Sequence, residues 1–354
     1  MSLLTRLRET FLKPNAPQSF RSKFGGCWTD RADAERAMEA HLGREKMEKW
    51  GSKLSSFIHD GYVIFEGAVD HQHIDAYRRA LSDATNGGTQ LLASIPATGP
   101  QDKSVVPLAE ADINAPLTKV LDTYSVLPEA HSIIFNPTIR DFLKLVFEDD
   151  VLAFQGLHFE RGSTQAIHQD TAYVVVDEPL RFCASWVALE DVKQGAGELI
   201  YYRGSHCLPD WIYSGRFKHY NHERDKHDEH LQHLAALHER SKTAGYELQS
   251  FLAKKGDVLI WSADLAHGGS QITDPSATRR SLVTHYTGAR NVPHYFQYVP
   301  KERQVRHSAG DGCYYSSFYY SNPTLSGSTL KRIALRMPLR LKRGIKKLIL
   351  GHRR

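Results

Sequence analysis

Four cysteines in 354 residues (Cys27, Cys183, Cys207 and Cys313) are too few and too scattered to staple a fold. None sits in a CxxC pair, which argues against a disulfide framework or a zinc knuckle and fits a reducing compartment. No run of eighteen apolar residues occurs, so no membrane-spanning helix is expected. The opening MSLLTRLRETFLK breaks its leucines with charge and lacks the apolar core of a secretory signal. GxGxxG and the GxxxxGK phosphate loop are both missing, as is any alternation of strand and helix, which disfavours nucleotide-binding α/β folds. No internal repeat is visible.

What remains is the composition of a soluble globular protein, 41% hydrophobic and 24% charged, long enough for one large domain or two ordinary ones. Residues 1–50 read as a partly helical extension. Helical spacing covers 31–59, with Met47, Trp50, Leu54 and Phe57 on one face. Asp60-Gly61 turns the chain into a buried strand at 62–65. A second helix carries Ile74, Tyr77 and Leu81. Residues 87–116 are turn-rich and read as loop. Helical signals return over 127–147, with Pro137 suited to a first turn. From 151 the pattern changes to short β-rich runs at 151–159, 171–176, 181–189, 198–202, 257–261 and 281–286, which predicts a mainly β barrel or sandwich with flanking helices. The polar, histidine-rich stretch 211–250 reads as an inserted loop and helix, its histidines a solvated or lid-like surface.

Against that background HQD at 168–170 and HGG at 267–269 stand out. Residues i and i+2 of a strand share a face, so His168 and Asp170 can point together. With His267 from another strand they make two nitrogens and one oxygen around a metal, the set used by non-haem Fe(II) oxygenases. A bare HxD with a distant histidine also arises by chance in a chain with 19 histidines. Arg279 begins a strand beyond His267 and is placed to grip a carboxylate through a two-pronged hydrogen bond; a surface ion pair is the alternative. Arg280 points the other way, so one of the two can enter a site. Tyr173 faces either substrate or the core. His206 is expected to shape its Gly-Ser-His turn rather than to bind metal.

Four segments in order give a resemblance. FIHDGYVIFEGAV (57–69), HQDTAY (168–173) with Trp186 on the next strand, GELIYYRGSH (197–206) and GDVLIWSADLAHGGS (256–270) with Arg279 beyond resemble the phytanoyl-CoA dioxygenase family of Fe(II)/2-oxoglutarate oxygenases. The resemblance implies a double-stranded β-helix, a cupin-like jelly-roll barrel, over 51–300. It implies iron on His168, Asp170 and His267, 2-oxoglutarate on Arg279 and Trp186, O2 as co-substrate and ascorbate as an accessory reductant. The implied reaction is hydroxylation of an unactivated carbon of a small or lipid-linked substrate, with succinate and CO2 released. Asp170 favours hydroxylation over halogenation, because related halogenases have a small residue at that position. Many family members have a serine two residues after the distal histidine, where this chain has Gly269 followed by Ser270. A metal-binding cupin without oxygenase activity, such as an isomerase, and a silent scaffold are the rival classes.

The net charge of +5 hides an asymmetry: residues 331–354 carry ten Lys or Arg and no acid, leaving the rest at −5. Leu341, Ile345, Leu348 and Ile349 recur at helical spacing among those cations, so the C-terminal extension 301–354 is expected to end in a basic amphipathic helix. The expectations are a cytoplasmic protein with peripheral contact to an anionic membrane inner face through 331–354, or a helix packed on the barrel or a disordered tail. Nucleic acid is disfavoured, since the tail has no aromatic residue to stack on bases.

Overall fold

A computed structural model describes residues 20–86, 91–97, 99–221, 224–294, 306–310 and 312–315. The N-terminal helical run is two helices, α1 (Ala34–Leu42) and α2 (Arg44–Asp60). Gly43 lies between them with φ 73, a conformation that halts α1 and that glycine adopts without steric cost. Trp50, Leu54 and Phe57 are buried, as their spacing predicts. Gly61 ends α2 in the left-handed region at φ 80 and donates to the Phe57 carbonyl. A Cβ there would run into the His206 imidazole. That contact, with the His206 Nε2 to Ile58 carbonyl bond of 3.1 Å, makes His206 a structural residue of its turn. Strand β1 (Tyr62–Phe65) and helix α3 (His71–Asn86) follow.

The stretch read as loop instead holds a hairpin, β2 (Leu92–Ala97) and β3 (Gly99–Pro107). It lies at one end of the larger sheet, with β2 paired to both β3 and β4. Next come β4 (Lys119–Leu121), α4 (His131–Ile134) and α5 (Pro137–Phe147). Asn136 caps α5 by accepting from the Thr138 amide, with Pro137 at the first position. Strands β5 (Val151–Phe159), β6 (Phe182–Ala188) and β7 (Leu199–Tyr202) lead into α6 (His227–Thr243). Then come β8 (Leu248–Phe251), β9 (Val258–Ser262), β10 (His267–Gly269), β11 (Ser281–Gly288), β12 (Arg306–Ala309) and β13 (Gly312–Tyr315).

The larger sheet runs β1-β9-β6-β11-β5-β4-β2-β3, with β13 also paired to β5 and β12 to β13; the smaller runs β10-β7-β8. Except for β13 on β5, the pairings are antiparallel. Register separates the two faces of the large sheet. Trp186, Leu259 and Val283 are cross-strand partners, and they pack with Leu199, Tyr201 and Phe251 of the small sheet. Val187, Ile260, Leu282 and Tyr286 face the other way, onto Phe57, Phe142 and Val146 of the helices. The result is a jelly roll with helices behind one sheet; among the described residues hydrogen bonds do not close it into a full barrel. Edge-to-face contact of Trp186 with Phe251 (5.7 Å) and close packing of Tyr62 on Tyr201 (4.4 Å) tie the sheets together. Such aromatic pairs contribute about 0.5–1.5 kcal/mol beyond area burial.

Candidate metal centre

His168 and His267 arrive from distant parts of the chain and pair directly. Each amide donates to the other's carbonyl at 2.9 Å, so the two side chains leave one face with their rings 4.5 Å apart. Gln169 is extended (φ −107, ψ 135), which carries Asp170 to the same side as His168. There the strand expected over 171–176 fails. Residues Asp170–Ala172 form a 3-10 turn, closed by the Tyr173 and Val174 amides on the Asp170 carbonyl and pinned by Thr171 Oγ1 to Asp264. Polar anchors overrode a β-prone sequence.

Both imidazoles have their Nδ1 on a carbonyl, Ala166 for His168 (2.8 Å) and Leu265 for His267 (2.9 Å). A carbonyl only accepts, so Nδ1 carries the hydrogen and the Nε2 lone pairs are left for a ligand. Each Nε2 lies 3.7 Å from Asp170 Oδ1. Trp261 Nε1 donates to the other carboxylate oxygen at 2.8 Å, which turns Oδ1 inward. One donor atom from each of His168, Asp170 and His267 falls within 4.8 Å of the others, and all three residues are buried. With bonds of about 2.0–2.2 Å such donors span one ion. Among the described residues no other His, Cys, Asp or Glu group does so.

The electrostatics suit a cation. Burial pushes His267 down to about 4, even against Asp170, so it stays the neutral imidazole a metal needs. Burial would raise Asp170, but the imidazoles of His267 and His285 beside it hold it well below the usual carboxylate range. His285, on β11, approaches Asp170 Oδ2 at 3.3 Å, on the far side of the carboxylate from the triad. The Gln165 amide donates to His168 Nε2 (3.2 Å) and accepts from Lys119 Nζ (3.1 Å). Because Trp261 fixes the carboxylate, Trp261→Phe should weaken metal affinity roughly 10–100-fold, the usual cost of losing such a support, as read by equilibrium dialysis of Fe(II).

Arg279 is 2% exposed, and its guanidinium meets no carboxylate and no hydrogen-bond acceptor among the described residues. It lies 5.5 Å from the Phe159 ring and 5.8 Å from that of Trp186. Lys119 approaches the same Phe159 ring at 5.5 Å. Burial pulls Arg279 down to about 10 despite Glu198. Arg280 does the opposite, bonding Glu160 at 2.5 Å and Glu190 at 2.6 Å at the surface. The regular strand starts two residues after Arg279, at Ser281. Trp186 is buried with its Nε1 unpartnered. A buried cation with no carboxylate in contact is costly, so this geometry suits an anionic ligand.

The family model for phytanoyl-CoA dioxygenase matches residues 57–281, more than half of the chain. The chain belongs to the phytanoyl-CoA dioxygenase family. Its members are 2-oxoglutarate-dependent non-haem iron oxygenases, and this chain is one of them. No curated protein sequence matches it. Among solved structures, the non-haem alpha-ketoglutarate-dependent carbocyclase SnoK from nogalamycin biosynthesis aligns with a TM-score of 0.52 and 17% identity, over 68% of this chain and 84% of its own. The epimerase SnoN, solved with Fe3+, alpha ketoglutarate and nogalamycin RO, gives 0.53 and 15%, over 76% and 99%. At these identities the likeness is one of fold.

In this phytanoyl-CoA dioxygenase family member the position two after the distal histidine leaves no space for serine. A Cβ on Gly269 would lie 2.8 Å from Ser163 Oγ and 2.9 Å from the Thr164 amide nitrogen. Ser270 next to it is half-buried with its hydroxyl unpartnered. Gly269→Ser should therefore lower stability by about 1–3 kcal/mol, seen as a drop in the denaturant midpoint, rather than improve co-substrate binding. The histidines of 211–250 also differ from expectation. His230 and His233 are buried, not solvated. His230 lies between the hydroxyls of Tyr173 (3.0 Å) and Tyr213 (3.1 Å) and stacks on Tyr220 at 4.5 Å. Tyr173 turns its ring edge to His168 at 5.6 Å. Lys119, Gln165, Trp261 and His285 went unnoticed in the sequence. Trp261 alone had a signal, the period-two match to Leu259 in β9.

Proposed function

We propose that this enzyme hydroxylates an unactivated carbon of a small or lipid-linked substrate. His168, Asp170 and His267 hold the iron. Bound iron supplies, with O2 and 2-oxoglutarate, the oxidising power, and the co-products are succinate and CO2. Three protein ligands leave about half of a six-coordinate shell for co-substrates. Arg279 takes the far carboxylate of 2-oxoglutarate, with Trp186 and Phe159 walling that end and Lys119 adding positive charge. The observation that carries this reading is the buried, unpartnered Arg279 guanidinium in a molecule that also converges three metal-binding side chains. Asp170 keeps the metal shell in its hydroxylating form. Family membership favours this over the isomerase and scaffold alternatives.

The test is succinate release with Fe(II), O2 and 2-oxoglutarate across acyl-CoAs, lipids and nucleotide sugars. Anaerobic Fe(II) and 2-oxoglutarate should also give a visible charge-transfer band. Absence of both would remove the proposal. The lipid-linked substrate and the location at a membrane inner face rest on the cationic sequence 331–354, which lies outside the described residues. Deleting 331–354 should abolish co-sedimentation with anionic liposomes; unchanged binding would leave only the small-molecule form.

A further inference from the structure

Two tyrosine hydroxyls share one imidazole beside the metal centre, and their environments differ. Tyr213 is fully buried, and among the described residues its hydroxyl has one partner, His230 Nδ1. Tyr173 is half-buried, touches His168, and its hydroxyl meets His230 Nε2. A neutral imidazole carries one hydrogen, so it donates to one tyrosine and accepts from the other. A buried O–H with no acceptor costs more than an unused lone pair. Among the described residues the Tyr213 hydroxyl has no other acceptor, so it donates to Nδ1. His230 then bears its hydrogen on Nε2 and donates it to the Tyr173 oxygen. The Tyr173 hydrogen is released from the relay, on a residue that is half-buried and lies against His168. Stacking of Tyr220 on the His230 ring, and the tilted packing of Trp211 on the adjacent His233 at 5.0 Å, hold the relay in place.

We propose that Tyr173 is the specificity-determining hydrogen-bond donor to the primary substrate, aimed by a Tyr213–His230 relay, and that the substrate carries an oxygen acceptor next to the oxidised carbon. Tyr213 and His230 are positioning residues; Tyr173 touches substrate. The acceptor is a carbonyl, hydroxyl or ether oxygen, so the methyl end of a bare alkyl chain is not the group oxidised. This assignment rests on the oxygenase reading above for its substrate arm but not for its tautomer arm.

Both arms are measurable. In the full-length protein labelled with 15N-histidine, two-bond nitrogen–proton correlation should show His230 as the Nε2–H tautomer. An Nδ1–H tautomer would overturn the proposal, because the Tyr173 hydrogen would then be held by the ring. For the substrate arm the probe is the panel compound giving the largest rise in succinate release. Tyr173→Phe should raise its KM about tenfold, the worth of one neutral hydrogen bond, while kcat falls less than threefold. An unchanged KM, or a probe lacking an oxygen acceptor, would also overturn it. Should the variant fail to fold, the wild-type tautomer and the chemistry of the probe decide. Failure of every panel compound to release succinate, with Nε2–H observed, would count against the oxygenase reading and not against the relay.

Discussion

Replacing Asp170 with alanine should abolish succinate formation, with a loss of more than about a hundredfold, since even outer-shell supports cost 10–100-fold and Asp170 is proposed as a ligand. The carboxylate is the one anionic donor of the triad, and its Oδ1 lies 3.7 Å from both imidazole Nε2 atoms. Without it two neutral nitrogens remain, too weak a set to hold a divalent ion against water. The backbone should be spared, because the two histidines are fixed by reciprocal 2.9 Å amide bonds that do not involve Asp170. Iron content and succinate yield should therefore collapse together while far-ultraviolet circular dichroism is preserved. Normal succinate yield from the variant would refute the ligand assignment.

Arg279→Leu should produce two effects of opposite sign. The KM for 2-oxoglutarate should rise on the order of a hundredfold or more, as when one partner of a buried charge pair is removed, at about 3–5 kcal/mol. The protein without co-substrate should become more stable, by roughly 1–4 kcal/mol, because a buried guanidinium lacking a carboxylate gives way to an apolar side chain. The sign follows from the titration. Burial lowers Arg279 to about 10 in the folded state, below its unfolded value, so the penalty is fully present at neutral pH and fades only as pH climbs past 10. Thermal melts should show 2-oxoglutarate stabilising the wild type and leaving Arg279→Leu unmoved. A destabilised variant would mean that Arg279 already has a structural partner.

Much of this centre was legible because metal chemistry constrains residue type. HQD and HGG mark the three side chains that the structure brings together, His168, Asp170 and His267, and apolar runs mark β1, β5, β6, β7, β9 and β11; the role of the downstream Arg279 is a proposal. Other features depend on neighbours that a linear reading does not show. Thr171 is β-prone, yet its bond to Asp264 closes a 3-10 turn. The helix read over 31–59 divides at one glycine whose φ is 73. His230 looks solvated within its polar stretch, but its partners Tyr173, Tyr213 and Tyr220 lie outside the helix that carries it. Lys119 belongs to a three-residue strand with no pattern to mark it.

The mutual backbone bonds of His168 and His267 separate two events that many metalloproteins couple. The ligand spacing is set by peptide groups, so ferrous ion enters a cradle already shaped and little ordering accompanies its arrival. Loading should be reversible, and chelators should strip the ion without unfolding the chain. With three protein donors the rest of the shell is unspecified, so geometry discriminates weakly and cobalt, nickel and zinc compete on affinity. Which ion resides there then becomes a matter of cellular supply, and zinc excess would silence the enzyme without damaging it.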